Sequence, residues 1–200
     1  MAGLLSNFRN TVIVSVILSL LVVFAYYTNS GSPEAFAQAL LRLLHVFSGI
    51  LWIGLLYYFN FVQIRKMPDI PAELKPAVSK YIAPEALFWF RWAALATWVF
   101  GVLLAGDRGY LLSAATLGAS EGFKSPQHIL IGLGMWIATI MFLNVWGIIW
   151  PNQKRALGIV EADADTKAKS ARIAMLGSRT NMLLSIPMLV SMTMSQTIFG

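Results

Sequence analysis

The sequence contains no cysteine, and that absence removes disulfides, thiolate nucleophiles, iron–sulfur clusters, cysteine zinc sites and the C-x-x-C-H attachment of a covalent c-type haem. Charge is scarce as well. Asp, Glu, Lys and Arg together make up 12% of the 200 residues, about half the share of ~25% that a soluble domain carries. So little polar surface excludes a water-soluble enzyme. The phosphate-binding G-x-x-x-x-G-K-[ST], nucleophile-elbow G-x-S-x-G and metalloprotease H-E-x-x-H motifs are missing too. The nine acidic residues fall in loops or at the ends of apolar runs, so hydrolytic chemistry within those runs is not expected.

What remains is apolar. Hydrophobic residues make up 58% of the chain, and the mean hydropathy is +0.68. Five runs, at about 11–28, 35–63, 85–105, 127–150 and 181–199, are each long enough to cross a hydrocarbon core of about 30 Å. The expected fold is an all-α polytopic membrane bundle of five transmembrane helices, a single integral membrane domain over residues 1–200 whose first partner is the lipid bilayer. The first run follows Arg9 and has a signal-peptide look, with Ala35-Phe36-Ala37 as a cleavage site. Its apolar stretch exceeds a usual signal core, which favours a retained helix.

The net charge of +6 reads as topology, and no nucleic-acid partner is expected. Placing the N-terminus inside puts eleven Lys and Arg on the inner side against three, Arg42, Arg108 and Lys124, outside. Cytoplasmic loops hold such an excess, so the chain reads as N-in, C-out. Pro68, Pro71, Pro76 and Pro84 mark the inner stretch 65–84 as an ordered connector and not a continuous helix. In the outer stretch 106–126, Tyr110 to Leu117 either lies on the membrane or folds back as a lid. After Pro151, residues to about Gly177 read as a helix at the inner surface.

Polar groups inside spans are costly and mark candidate sites. On the second span Gln38, Arg42, His45, Gly49 and Trp52 recur at four, three, four and three residues, which is one helical face. The fourth span enters with Gln127 and His128, so both histidines of the chain lie in the outer half. Two histidines from separate helices can supply the axial ligands of a b-type haem iron. Arg42 would then pair with a propionate, and Gly49 and Trp52 would shape the pocket. The plainer reading of either histidine is a hydrogen bond to a neighbour.

A second polar set, Asn60, Arg91, Asn144 and Asn181, gathers toward the inner side. Arg91 keeps its charge; it either binds an anion or quinone carbonyl, snorkels to headgroups, or joins the asparagines as structural glue, the reading favoured here. Trp89, Trp92, Trp146 and Trp150 lie where interfacial tryptophans concentrate. Met182, Met188, Met192 and Met194 are read as packing and not as copper ligands.

Four stretches resemble the N-terminal membrane domain of the bacterial membrane-bound urate oxidases. They are Leu44-His45-Val46 with Gly49, Trp52 and Gly54; Trp89-Phe90-x-Trp92 with Thr97, Trp98 and Gly101; Asn144-Val145-Trp146 running to Trp150-Pro151-Asn152-Gln153; and Ser178, Asn181 and Pro187. The resemblance implies a bacterial inner-membrane protein that takes electrons from urate and passes them to a respiratory chain through a cytochrome c. The chain reads as a stand-alone form without that cytochrome domain, and it has Thr180 and Gln196 where the family pattern has histidines around the last span. The expectation is a haem-b-binding or accessory component of a membrane electron-transfer system, joined to a larger redox complex or cytochrome. The alternatives are a non-catalytic structural subunit, or urate oxidation with a separate cytochrome partner.

Overall fold

The computed structural model describes residues 2–29 and 32–199, all of them helical, turn or irregular, with no strand among them. Five helices are long and apolar enough to cross a membrane, at Phe8–Asn29, Pro33–Asp69, Lys75–Asp107, Pro126–Ala156 and Ala164–Ile198. Their length and composition are those of a membrane protein. The chain divides into two compact units with the boundary between Leu40 and Leu41.

In the first unit a one-turn helix, Ala2–Leu5, precedes α1, Phe8–Asn29. Helix α1 is apolar along most of its length, as suits a helix that crosses lipid. Near its end, Tyr27 meets Phe36 edge to face at 4.9 Å.

The second unit holds the packed helices. Helix α2, Pro33–Tyr57, begins before the boundary and runs through a π-helical stretch, Tyr58–Gln63, to a final 3-10 turn, Met67–Asp69. Helix α3, Ala83–Asp107, is entered through helical turns that start at Lys75. The proline-rich connector is therefore shorter than the sequence suggests. Pro76 occupies the first turn at Lys75, where the missing N–H has no partner to lose, while Pro68 falls in the closing 3-10 turn of α2 and Pro84 directly after the π-helical Val78–Ile82, where the hydrogen-bond register shifts. Only the segment 70–74, with Pro71 in it, is left outside any helix.

A short helix α4, Leu111–Ala115, follows, then α5, Pro126–Asn144, prolonged through a π-helical Val145–Ile149 to Ala156. Helix α6, Ala164–Ile198, is continuous over 35 residues. The amphipathic stretch after Pro151 and the last span are thus largely one helix. Its start is fixed by Asp163, whose carboxylate accepts from the Thr166 N–H at 2.7 Å and from its hydroxyl at 2.9 Å.

Trp52, Leu56, Phe59, Phe90, Ala94, Met141, Val145 and Ile149 form the core. Helix α6 meets it with a row of small buried residues, Gly177, Ser178, Ser185, Ser191 and Ser195. Ser185, Ser191 and Ser195 return their hydroxyls to carbonyls of their own helix. Between helices in lipid the hydrophobic effect is weak, and such small side chains let backbones approach closely.

Candidate functional site

The segment after α3 folds back against α5, which decides between the two readings of Tyr110 to Leu117. Gly132 of α5 lies so close to α4 that a Cβ there would collide with the Ala114 carbonyl, and the Trp136 indole donates to the Ala115 carbonyl at 2.9 Å. The strap then turns at Gly118, with Leu117 and Phe123 also held in the left-handed backbone region at φ 51° and 63°. Two bulky residues in that region store strain of about 1–3 kcal/mol each.

This fold-back builds a polar cluster around His128. Its Nδ1 lies 3.0 Å from a Glu121 carboxylate oxygen and 3.1 Å from the Ser113 hydroxyl. A carboxylate only accepts, so Nδ1 carries the hydrogen and Nε2 is the ring nitrogen left over. The hydrogen bond from His128, with help from Ser113, holds Glu121 below the usual carboxylate range. Tyr110 stacks on the imidazole at 5.6 Å with the planes 22° apart. Burial pushes its phenol up, against the opposing charges of Arg108 and Arg42. Beside this cluster opens a cleft of about 150 Å³ lined by Arg108, Tyr110, Gln127, His128, Ile131, Ser195 and Gln196.

The stripe on α2 does not reach this cleft as a unit. Arg42 is exposed, and its charge bears on Tyr110. One turn on, His45 points its Nδ1 at the Thr97 carbonyl, 2.9 Å away, so that nitrogen must donate. The ring fills the space over Gly101 so tightly that a Cβ there would lie 2.9 Å from it, while Gly49 faces Thr97. Trp52 is 1% exposed, and its indole N–H has no partner. The two histidines are thus held by separate sets: His45 by α3, and His128 by the strap.

That arrangement does not fit a haem gripped between them. His45 is absent from the lining of the cleft beside His128, and its Nδ1 is committed to the Thr97 carbonyl on α3.

The inner polar set is brought together in part. Asn144 donates to the Gly177 carbonyl at 2.9 Å and to Asn181 Oδ1 at 2.7 Å, and Asn181 donates to the Met141 carbonyl at 3.0 Å. Asn60 donates to the Ser178 hydroxyl at 2.9 Å. Arg91 stands apart from these bonds. Its guanidinium lies 3.9 Å from the centre of the Trp150 ring and 5.2 Å from that of Phe88.

Sequence reasoning missed Ser113, Glu121, Ser195 and the roles of Arg108 and Tyr110. Their meeting depends on the strap's path, which no periodicity encodes.

The model of the family described as Urate oxidase N-terminal matches residues 103–197. That segment contains every residue lining the cleft, whereas Arg42, His45, Gly49 and Trp52 precede it. The resemblance read from the sequence therefore holds over the second half of the chain. No curated protein and no solved structure matches the chain.

Proposed function

We propose that this membrane protein is a urate-oxidase-related component of an electron-transfer system, and that the cleft between Arg108, Tyr110, Gln127, His128, Ser195 and Gln196 receives its substrate, a small planar anion of the urate type. One observation carries the reading: these polar groups converge around open space at one end of an apolar bundle, and all of them fall within the family-matched residues.

The chemistry of the lining suits such a ligand. Arg108 supplies a permanent charge and a planar fork of donors, and the amides of Gln127 and Gln196 each offer both a donor and an acceptor to a ring edge that alternates N–H and C=O. A cavity of about 150 Å³ accommodates one aromatic ring in proteins, so a two-ring anion of the urate type would enter by one ring and leave the other at the cleft mouth. With Nδ1–H committed to Glu121, His128 Nε2 is the atom available to receive a ligand proton. The electrons released by oxidation pass to a partner, a cytochrome by the resemblance. The N-in, C-out reading of the basic residues supports a cleft on the outer side of a bacterial inner membrane, within reach of such a partner.

The test is calorimetric titration of the detergent-purified full chain with urate, followed by urate-dependent reduction of added cytochrome c. Arg108→Gln should weaken urate binding about tenfold or more, the worth of a charge-assisted hydrogen bond. Absence of urate binding to the unaltered protein, or equal binding by the variant, overturns the reading.

A further inference from the structure

At the other end of the bundle, a fixed charge sits without a counter-ion. Arg91 lies eight residues past the start of α3, near the middle of the helical segment Lys75–Asp107, which is apolar enough to span a membrane. Among the described residues it makes no ion pair and no hydrogen bond, and its recorded partners are the ring faces of Trp150 and Phe88. Lys154, one turn beyond Trp150, brings its ammonium to 5.7 Å from the centre of the same ring and is likewise without an ion pair. The carboxylate nearest Arg91 in sequence, Glu85, is engaged by the Trp89 indole at 2.9 Å.

A guanidinium over an indole face is stabilised by the ring, but its N–H donors still need acceptors. Within a bilayer, an unpaired cation with free donors is costly. The groups able to meet both demands at this depth are headgroup oxygens carrying negative charge, and basic pockets near an interface bind anionic lipid heads in this way. Trp89, Trp92 and Trp146 surround the pair in sequence, the residue type that marks the headgroup level.

From the unpaired Arg91 and Lys154 on one Trp150 ring, we infer a binding site for the phosphate of an anionic lipid headgroup in the adjacent leaflet. Arg91 forks onto the phosphate oxygens, Lys154 adds the second charge, and Trp150 holds both cations in place.

The full chain would be reconstituted in nanodiscs of equal phosphatidylglycerol and phosphatidylcholine, and the retained lipid read by native mass spectrometry after gentle extraction. Its unfolding temperature in neutral detergent would be read with either lipid or with inorganic phosphate. The unaltered protein should retain phosphatidylglycerol preferentially and be stabilised by it. Arg91→Gln and Lys154→Gln should each bring the two lipids to parity. Lys169→Gln, which removes the same charge from an exposed position on α6, should leave the preference intact. Lys154 lies near a helix end, so its variant keeps the test open if Arg91→Gln fails to fold. Equal retention of both lipids by the unaltered protein, loss of preference in Lys169→Gln, or full stabilisation by inorganic phosphate alone would each overturn the site.

Discussion

At the Trp150 end of the helical unit, the asparagines close on one another and on backbone carbonyls, and Asn181 is 0% exposed. At the His128 end, six polar side chains surround a cleft of about 150 Å³ instead. Both sets attract attention in a sequence this apolar, yet they differ in what their free lone pairs and N–H groups face. Asn144 and Asn181, bonded to each other and to backbone, hold helices together, while Asn60 Oδ1 beside them has no partner; polar groups turned toward a space have capacity left for a ligand. Polarity inside a membrane bundle marks importance, and only geometry separates glue from site.

The sharpest way to break that distinction is Asn181→Ala. It removes the acceptor for one Asn144 N–H and the second donor to the Met141 carbonyl, which keeps its helical bond from Val145, and a buried amide N–H left unsatisfied costs about 1–3 kcal/mol. The unfolding midpoint in detergent should fall clearly while urate affinity of the folded protein stays unchanged. A normal midpoint, or selective loss of binding, would mean that the asparagine set is not glue.

Gly132→Ala should act in the reverse sense. Its new methyl meets the Ala114 carbonyl, a backbone atom that cannot swing aside, and overpacking of this kind costs about 1–3 kcal/mol. Much of that strain is expected to be relieved by the strap lifting from α5, which opens the cleft and exposes the segment 111–123 to protease. Binding should therefore suffer more than global stability. Gly147, with open space where a Cβ would go, is the matched control, and its alanine variant should behave like the unaltered protein.

The five spans were legible because apolar length is a property of composition, needing no knowledge of packing. Helix ends were less so. Pro68, Pro76 and Pro84 look like breakers in a one-dimensional reading, but a proline in a first turn, in a closing 3-10 turn or beside a π-helical stretch is compatible with a helix, so α2 and α3 extend beyond the expected limits. The stripe from Arg42 to Trp52 was correctly periodic, yet periodicity assigns a shared face and not a shared partner. Arg42 bears on Tyr110, His45 packs on Gly101, and Trp52 enters the core. The cleft was the least legible part. Glu121 meets His128 seven residues away only because the strap turns through positive φ at Gly118, Gly122 and Phe123.

The smallest effect is expected at Asp163, which tests how far an exposed polar bond contributes compared with the buried asparagines. Its carboxylate accepts from the Thr166 N–H and hydroxyl, and those bonds hold it below the usual carboxylate range. A depressed folded value means that the contribution is complete above the ordinary carboxylate value and disappears as pH falls through the folded one. Asparagine caps a helix about as well as aspartate but does not titrate there. Asp163→Asn should accordingly match the unaltered protein near neutrality and become the more stable of the two in acid, by a margin far below the loss in Asn181→Ala. Melting curves of both proteins from neutral pH down to the carboxylate range would decide it. A gap that stayed constant with pH would show that the cap contributes nothing through its charge.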